Sequence, residues 1–487
     1  MALNVSEIKQ FITDDIASER KRRAKVGERY YNAEHDILNT RLFYYNADGK
    51  LVEDKTRSNI KISHPFFTEL ADQLAAYLLS FKDNPIRAKE KTRGLQDYLD
   101  EYFDDEFWVE IGELVTDTYT KGFGYLYAYK NAEDRLAFQN ADSIGVVEIP
   151  AKYAEDNQDH VLYWYEDGVE KGRKTVKRIQ DWTRTETTYW VQIDNGVIEL
   201  DDTADYNPRP HVVFTDEETG EKLCCDFGFI PFWRLDNNKK QHSGLKPIKD
   251  LIDDYDVMQC GLSNNLADFD TPLHVVSGFQ GDNLDELQTN LKTKKIVGVD
   301  SEGGVSVQTV NIPYQARKVK ADEDEKNIYR FGMGLNSSQV GDGNITNIVI
   351  RSRYTLLDLK ADKMEKRLKQ LLKKVVKVVL DEINTKNGTD YQFKDICWDF
   401  ARETMTNETE NIQNDKTKAE IQQIRINTIL NVAVNIGEDE TLKAICDELD
   451  LDYEELKGQV EKLKEEESTA AAQAKLNGVV TEEPIVE

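Results

Sequence analysis

From about Thr346 to Ile383 the chain carries a single apolar stripe. Leu357, Ala361, Met364, Leu368, Leu371, Val375 and Val379 recur at intervals of three and four, with Lys and Arg on the other side. At 1.5 Å per residue such a helix runs about 55 Å, long for an enzyme interior and natural for a spanning strut. One stripe of that length needs a body to cover it. Asn387-Gly388 stops the helix, and a short strand over Tyr391–Trp398 is predicted next.

The body is legible upstream. A helix is predicted from Ser6 to about Glu34, with a basic patch of Arg20, Lys21, Arg22, Arg23 and Lys25. That patch is either a solvated face or a contact for DNA or an acidic neighbour. A second helix begins at Ser63 with Pro65 in its first turn, and a third spans Gly94 to Lys121, stopped by Gly122-Phe123-Gly124. Runs rich in β-branched and aromatic residues follow, among them Tyr125–Tyr129, Val161–Tyr165, Thr187–Ile193 and His211–Phe214. The fold class read from this order is α+β with an antiparallel sheet. The stretch from Gln315 to about Phe331 is helical and charged on nearly every face, which suits packing against copies of itself in a ring, or an exposed linker. Leu335 to Asn344 is a Gly/Ser/Asn-rich loop, and Glu403–Lys464 is expected to form two or three short helices around Ile421–Leu430, Glu440–Leu449 and Tyr453–Lys464.

Charge and chemistry narrow the function. The net charge of −28 argues against gripping nucleic acid by phosphate neutralisation. No apolar run is long enough to span a membrane, and Met1-Ala2-Leu3-Asn4-Val5 lacks a signal-peptide pattern, so no membrane partner is expected. The five cysteines have no C-x-x-C spacing, and Cys224-Cys225 are expected in a buried strand. Six scattered histidines give no chelating pair, and neither G-x-S-x-G nor a Walker A sequence occurs. Asp253, Asp254 and Asp256 lie on one helix but point in different directions, so they do not converge on a metal. The chain reads as no enzyme, with no cofactor and no metal. Two competing readings are a metal-dependent nuclease or phosphotransferase, and a helical scaffold or adaptor.

Gly228–Asp270 carries the most specific pattern. Ile230-Pro231-Phe232-Trp233 leads through a polar loop (Asn237, Asn238, Lys239, Lys240) into a helix with Ser243 as N-cap and Pro247 in its first turn. That helix bears Leu251-Ile252-Asp253-Asp254-Tyr255-Asp256 and Ser263-Asn264-Asn265. Together with Tyr30-Tyr31-Asn32 through Ile37 and with Gly343-Asn344-Ile345-Thr346-Asn347, these stretches resemble the portal proteins of tailed double-stranded DNA bacteriophages, of the siphophage type. Thr346 and Asn347 stand where that family usually has Ser and Gly.

The resemblance implies a homo-oligomeric ring of about twelve copies with double-stranded DNA passing through it. It implies a wing over residues 1–243, stem helices at 244–270 and 314–334, and a clip at 271–313. A tunnel loop at 335–347, a long helix completing the wing at 348–402, a helical crown at 403–464 and a disordered tail at 465–487 follow. The loop residues implied to meet DNA are Asn336, Ser337, Ser338, Gln339, Asp342, Asn344, Thr346, Asn347 and Arg351. Arg351 and Arg353 either attract phosphate or pair with acids on the long helix. The stem residues implied to line the channel are Asp250, Asp253, Asp256, Lys318, Glu323 and Lys326. Implied partners are the terminase large subunit, a head-completion adaptor, and the major capsid and scaffolding proteins. The implied location is the capsid vertex of the virion, after assembly in the host cytoplasm.

Overall fold

The striped segment is a 41-residue helix, Asn347–Asn387, and all seven stripe residues are at most 4% exposed. In the computed structural model, residues 3–449, 453 and 456–458 are described, apart from 56, 93, 132–133, 151–157, 171–173, 195, 205, 216–221, 270–272, 280–282, 284, 286, 288–297, 309–312, 337–346 and 403–407. In chain order the helices are α1 (Val5–Ala17), α2 (Glu19–Tyr31), α3 (Phe66–Leu78), α4 (Gly94–Tyr102), α5 (Asp105–Lys121), α6 (Lys249–Phe269), α7 (Tyr314–Gly332), α8 (Asn347–Asn387), α9 (Glu408–Ile436) and α10 (Glu438–Leu449). The chain divides into two units, one of Met1–Asp342 with Arg353–Thr404 and one of Gly343–Ser352 with Met405–Glu487.

The first unit is α+β, as the sequence predicts. Its main core gathers α8 with α3, α4, α5 and the start of α6, through residues such as Phe67, Leu74, Leu114, Ile248, Leu368 and Val375. A six-stranded antiparallel sheet orders its strands Ile198–Leu200, Glu186–Ile193, Lys174–Trp182, Gln158–Glu170 and Val146–Pro150, with Arg209–Pro210 added beside Glu186–Ile193. Ile8 and Ile12 of α1 pack on one face of this sheet against Val147, Leu162 and Ile179. A second sheet pairs Phe232–Asp236 with Phe123–Lys130, in the register Trp233↔Leu126, and then Leu136–Ala141. The expected Tyr391–Trp398 strand shortens to Ile396–Trp398, paired with Ile86–Ala88.

Two predicted helices are each broken in two. Ser18 leaves helical geometry and caps α2 by accepting from the Lys21 N–H at 3.3 Å. Asp104 does the same for α5, accepting from Phe107 N–H at 3.0 Å. Ser and Asp are both favoured N-cap residues, but the composition on either side of each is helical and does not mark the break.

The basic patch of α2 is not a uniform solvated face. Lys21 is fully buried, and its ammonium donates to the carbonyls of Ser143 (2.5 Å), Ile144 (3.0 Å) and Val146 (2.7 Å) while pairing with Asp15 at 3.0 Å. Burial lowers its pKa to about 8. The cation ties α2 to the chain entering the Val146 strand, leaving only Arg22 and Lys25 of the patch exposed. Cys225 is likewise exposed rather than buried in its strand, which is one of an isolated two-stranded pair.

α7 also departs from expectation. Ala321, Asp324, Ile328, Tyr329 and Gly332 are buried, and Ile328 and Tyr329 join the main core, so the helix has a partner within the subunit. Its buried acid is neutralised by Lys320 at 2.5 Å, and the Tyr329 hydroxyl donates to Glu69 at 2.5 Å. Composition alone hid this face, because its few apolar residues stand among charged neighbours and its one buried acid is paired.

Lys360 of α8 is buried beside the same core, with no ion pair among the described residues. Its ammonium donates to the carbonyls of Leu70 (3.0 Å) and Gly332 (3.2 Å) and lies 4.1 Å over the Tyr119 ring. Burial lowers its pKa to about 7. Between pH about 7 and the ordinary lysine value, the unfolded chain therefore holds more protons than the folded one, so stability rises with pH across that window. Lys360→Met is expected to remove this rise, because the variant has no titrating group at the position. Denaturant unfolding of parent and variant from neutral to alkaline pH checks both statements; parallel curves would refute them.

In the second unit α9 is a 29-residue helix, longer than expected, and Gly437 at φ 89° turns it into α10. Gln422 donates to the Glu448 carbonyl at 3.0 Å and Arg425 pairs with Glu448 at 3.3 Å, which holds α9 against α10. The predicted helix beyond Tyr453 and the tail at 465–487 lie largely or wholly outside the described residues.

Candidate functional site

α6 and α7 are the pair on which the stem expectation falls. They face each other through Lys320, which bridges Asp254 (2.6 Å) and Asp324 (2.5 Å), and through Arg317, whose guanidinium donates to the Met258 carbonyl at 3.5 Å. Between them runs the segment expected to form the clip. Its outer strands, Leu273–Phe279 and Val299–Gln308, pair antiparallel, while residues 280–282, 284, 286 and 288–297 between them lie outside the described residues.

The opposite ridge of α6 holds an extended segment by its backbone. Asp256, Cys260, Asn264 and Asp268 accept from the N–H groups of His64 (3.0 Å), Ile62 (3.2 Å), Ile60 (2.6 Å) and Ser58 (3.0 Å) in turn. Four helical residues advance about 6.0 Å. Two extended residues advance about 6.6 Å, so the two periods stay in step for four contacts. The segment is thereby fixed without joining a sheet.

Asp256 is the anchor of this ladder. It is 0% exposed, with His35 Nδ1 at 2.6 Å from one carboxylate oxygen and His64 Nδ1 at 2.7 Å from the other. An ionised carboxylate only accepts, so both Nδ1 atoms carry the proton in this arrangement. Burial alone would raise the carboxyl pKa. The hydrogen bonds from His35 and His64 outweigh burial and hold it below the ordinary aspartate range. Tyr30 stacks on His35 at 4.5 Å and donates its hydroxyl to Asp253.

The predicted site residues separate on this geometry. Asp250, Lys318, Glu323 and Lys326 are exposed, and Asp253 is partly exposed while pairing with Lys249 at 2.6 Å. Asp256 is corrected: its carboxylate faces the protein interior and serves a structural clamp, so it presents no charge to a channel. Asn336 donates to Glu325 at 2.9 Å. Ser337, Ser338, Gln339, Asp342, Asn344 and Thr346 lie outside the described residues, and Asn347, Arg351 and Arg353 are described only as backbone of α8.

Sequence reasoning missed the residues that fix the approach to that loop. Gln73 pairs with both backbone groups of Leu335, at 2.8 and 2.9 Å, and Lys360 holds Gly332. Nothing in one sequence marks Gln73 or Lys360 for this role, since their partners lie 262 and 28 residues away. Among the described residues no cluster of three or more His, Cys, Asp or Glu is arranged to hold a metal ion, and no helix is long and apolar enough to cross a membrane.

A charged helix pair beside a mixed helix and antiparallel-sheet body agrees with the class of phage portal proteins. The chain belongs to the family described as phage portal protein, SPP1 Gp6-like, whose model matches residues 11–473. It is 28% identical over 398 residues to the portal protein of Bacillus phage SPP1, covering 80% of this chain and 76% of that one. It is 23% identical over 431 residues to the portal protein of Clostridium phage phiCD119, covering 84% of this chain and 88% of that one. The family is structural rather than enzymatic, and phage portal proteins sit in the virion capsid.

Proposed function

We propose that copies of this chain close into a ring of about twelve at one capsid vertex and conduct double-stranded DNA during packaging and ejection. In this reading α6 and α7 are the stem, 271–313 is the clip, 335–347 is the tunnel loop, and α9 with α10 belongs to the crown. Residues 1–243 and α8 make the wing. The clip docks the terminase large subunit, which supplies ATP energy, and later a head-completion adaptor. Capsid and scaffolding proteins surround the ring, which assembles in the host cytoplasm.

The observation that carries this reading is the match to the portal family from residue 11 to residue 473. The exposed charges Asp250, Lys318, Glu323 and Lys326 on the paired helices support it, because mixed and mostly unclustered charge gives DNA a wall without a trap. A loop of Asn, Ser, Gly and Gln touches phosphates only through weak hydrogen bonds.

Negative-stain imaging of the full chain is expected to show hollow rings of roughly 670 kDa, about twelve times 56.0 kDa. Solitary folded particles, with capsid factors supplied, would overturn the reading. For the loop, Asn344→Ala with Asn347→Ala is expected to lower the packaging rate by up to about 30-fold, the scale of two lost hydrogen bonds of about 1 kcal/mol each. An unchanged rate and unchanged packaged length in an infection assay would remove the loop from the mechanism.

A further inference from the structure

The solvent face of α8 is strongly basic in a chain of net charge −28. Lys363, Lys366, Lys373, Lys374 and Lys377 are exposed and Arg367 is partly so. At 3.6 residues per turn these six, with Gln370, occupy one sector about 120° wide, opposite the buried stripe. Among the described residues none of the six forms an ion pair. The one acid between positions 363 and 377 is Glu365, already paired with Arg402 (2.5 Å) and Lys369 (2.6 Å).

Midway along the row a hollow of about 380 Å³ opens between Arg367, Gln370, Lys373 and Lys374 on one side and Trp233 and Arg234 on the other. Its acid, Asp236, is paired with Arg234 at 2.9 Å and accepts from Gln241 at 2.8 Å, so it does not cancel the row. The helix beneath is held by Leu368, Leu371, Leu372, Val375 and Val376, all at most 4% exposed, so the charges stand on a fixed support.

We infer that this face of α8 is a binding site for the phosphate backbone of duplex DNA, separate from the stem and the tunnel loop. The row is about 21 Å long, which matches about six phosphates of one strand at 3.4 Å of axis each. A protein interface needs an apolar centre, and this sector contains cations and one glutamine with no apolar residue among them. The acidic remainder of the chain does not prevent such contact, because charges beyond about 8 Å are screened at physiological salt. The inference rests on the portal reading only for the presence of duplex DNA around the protein.

The test uses the full chain and a fluorescein-labelled duplex of about 30 base pairs, titrated between about 50 and 200 mM salt. The fourfold variant Lys366→Gln, Arg367→Gln, Lys373→Gln, Lys374→Gln is expected to bind at least about 100-fold more weakly near 100 mM, with a salt slope shallower by about 3.6. A control that removes four exposed lysines elsewhere (Lys9→Gln, Lys82→Gln, Lys394→Gln, Lys443→Gln) is expected to keep the parent slope. Equal slopes in the two variants, or parent-like binding by the fourfold variant, would overturn the inference. So would a fourfold variant that binds DNA normally but no longer assembles, because the face would then receive an acidic surface of a second copy. If the fourfold variant is misfolded by circular dichroism, Lys366→Gln and Lys373→Gln are read singly, each expected to lower the slope by about 0.9, and no change in either overturns the inference. A chain that forms no ring but keeps the slope difference would sink the channel reading and leave this one standing.

Discussion

Asp256→Ala is expected to destabilise the first unit by about 3–5 kcal/mol, the scale of a buried pair broken from one side. The substitution strips the carboxylate from His35 Nδ1, His64 Nδ1 and the His64 N–H at once. His35 is fully buried and its Nε2 finds no hydrogen-bond partner among the described residues, so the variant leaves neither ring nitrogen with a partner among them. The loss also unfastens the first rung of the ladder that holds residues 58–64 on α6. Amide exchange at Ile60 and Ile62 should therefore rise further than exchange elsewhere in the unit. The pH dependence follows from the direction of the Asp256 shift. A carboxyl held below its ordinary value contributes stability above the unfolded pKa, and that stability is lost as the pH falls through the folded value. Asp256→Asn should therefore lower stability at neutral pH and flatten the acid limb of the unfolding profile. An Asn variant with the parent's acid limb would show that the clamp does not depend on the charge.

Gly244→Ala is expected to cost about 3 kcal/mol or more, or to prevent folding. Gly244 stands where the chain turns from the polar loop into α6, and its N–H donates to the Tyr119 carbonyl at 2.8 Å. A Cβ at this position would lie 2.2 Å from two carbons of the Tyr119 ring. That ring cannot step aside cheaply. It is 5% exposed, packs at 5.6 Å against Phe67, and carries the Lys360 ammonium 4.1 Å over its face. Relief would push Lys360 off Leu70 and Gly332, which links the entrance of α6 to the end of α7. Gly304→Ala, where an added Cβ meets nothing within 4 Å, is the control and should change stability by less than about 0.5 kcal/mol. Equal losses in the two variants would refute the clash.

The portal class was legible from short motifs, and the structure adds contacts that the motifs do not announce. Leu251–Asp256 and Ser263–Asn265 are two of those stretches. Three of their residues, Asp253, Asp256 and Asn264, are tied to Tyr30, to His35 and His64, and to Ile60. Their spacing of three and eight along α6 was visible. Their partners were not, since these lie about 190 to 220 residues earlier, and no local pattern announces a contact at that separation. The two missed helix breaks have a smaller cause. Ser18 and Asp104 cap the next helix in compositions that stay helical on both sides, so only the backbone turn reveals them.

What the sequence determined by itself is periodic: the seven-residue stripe of α8, the strand that follows Gly122, the α+β class and the order of motifs along the chain. Period is a local property, fixed by which residues return to one face of a helix or strand. What only the tertiary structure decided is which charges stay in water. Lys21, Lys360 and Asp256 read as surface charge and prove to be interior ties, while Lys363 to Lys377 keep theirs exposed. Burying a charge is tolerated only where distant carbonyls or rings arrive to meet it, and that arrival is a fact of the folded chain.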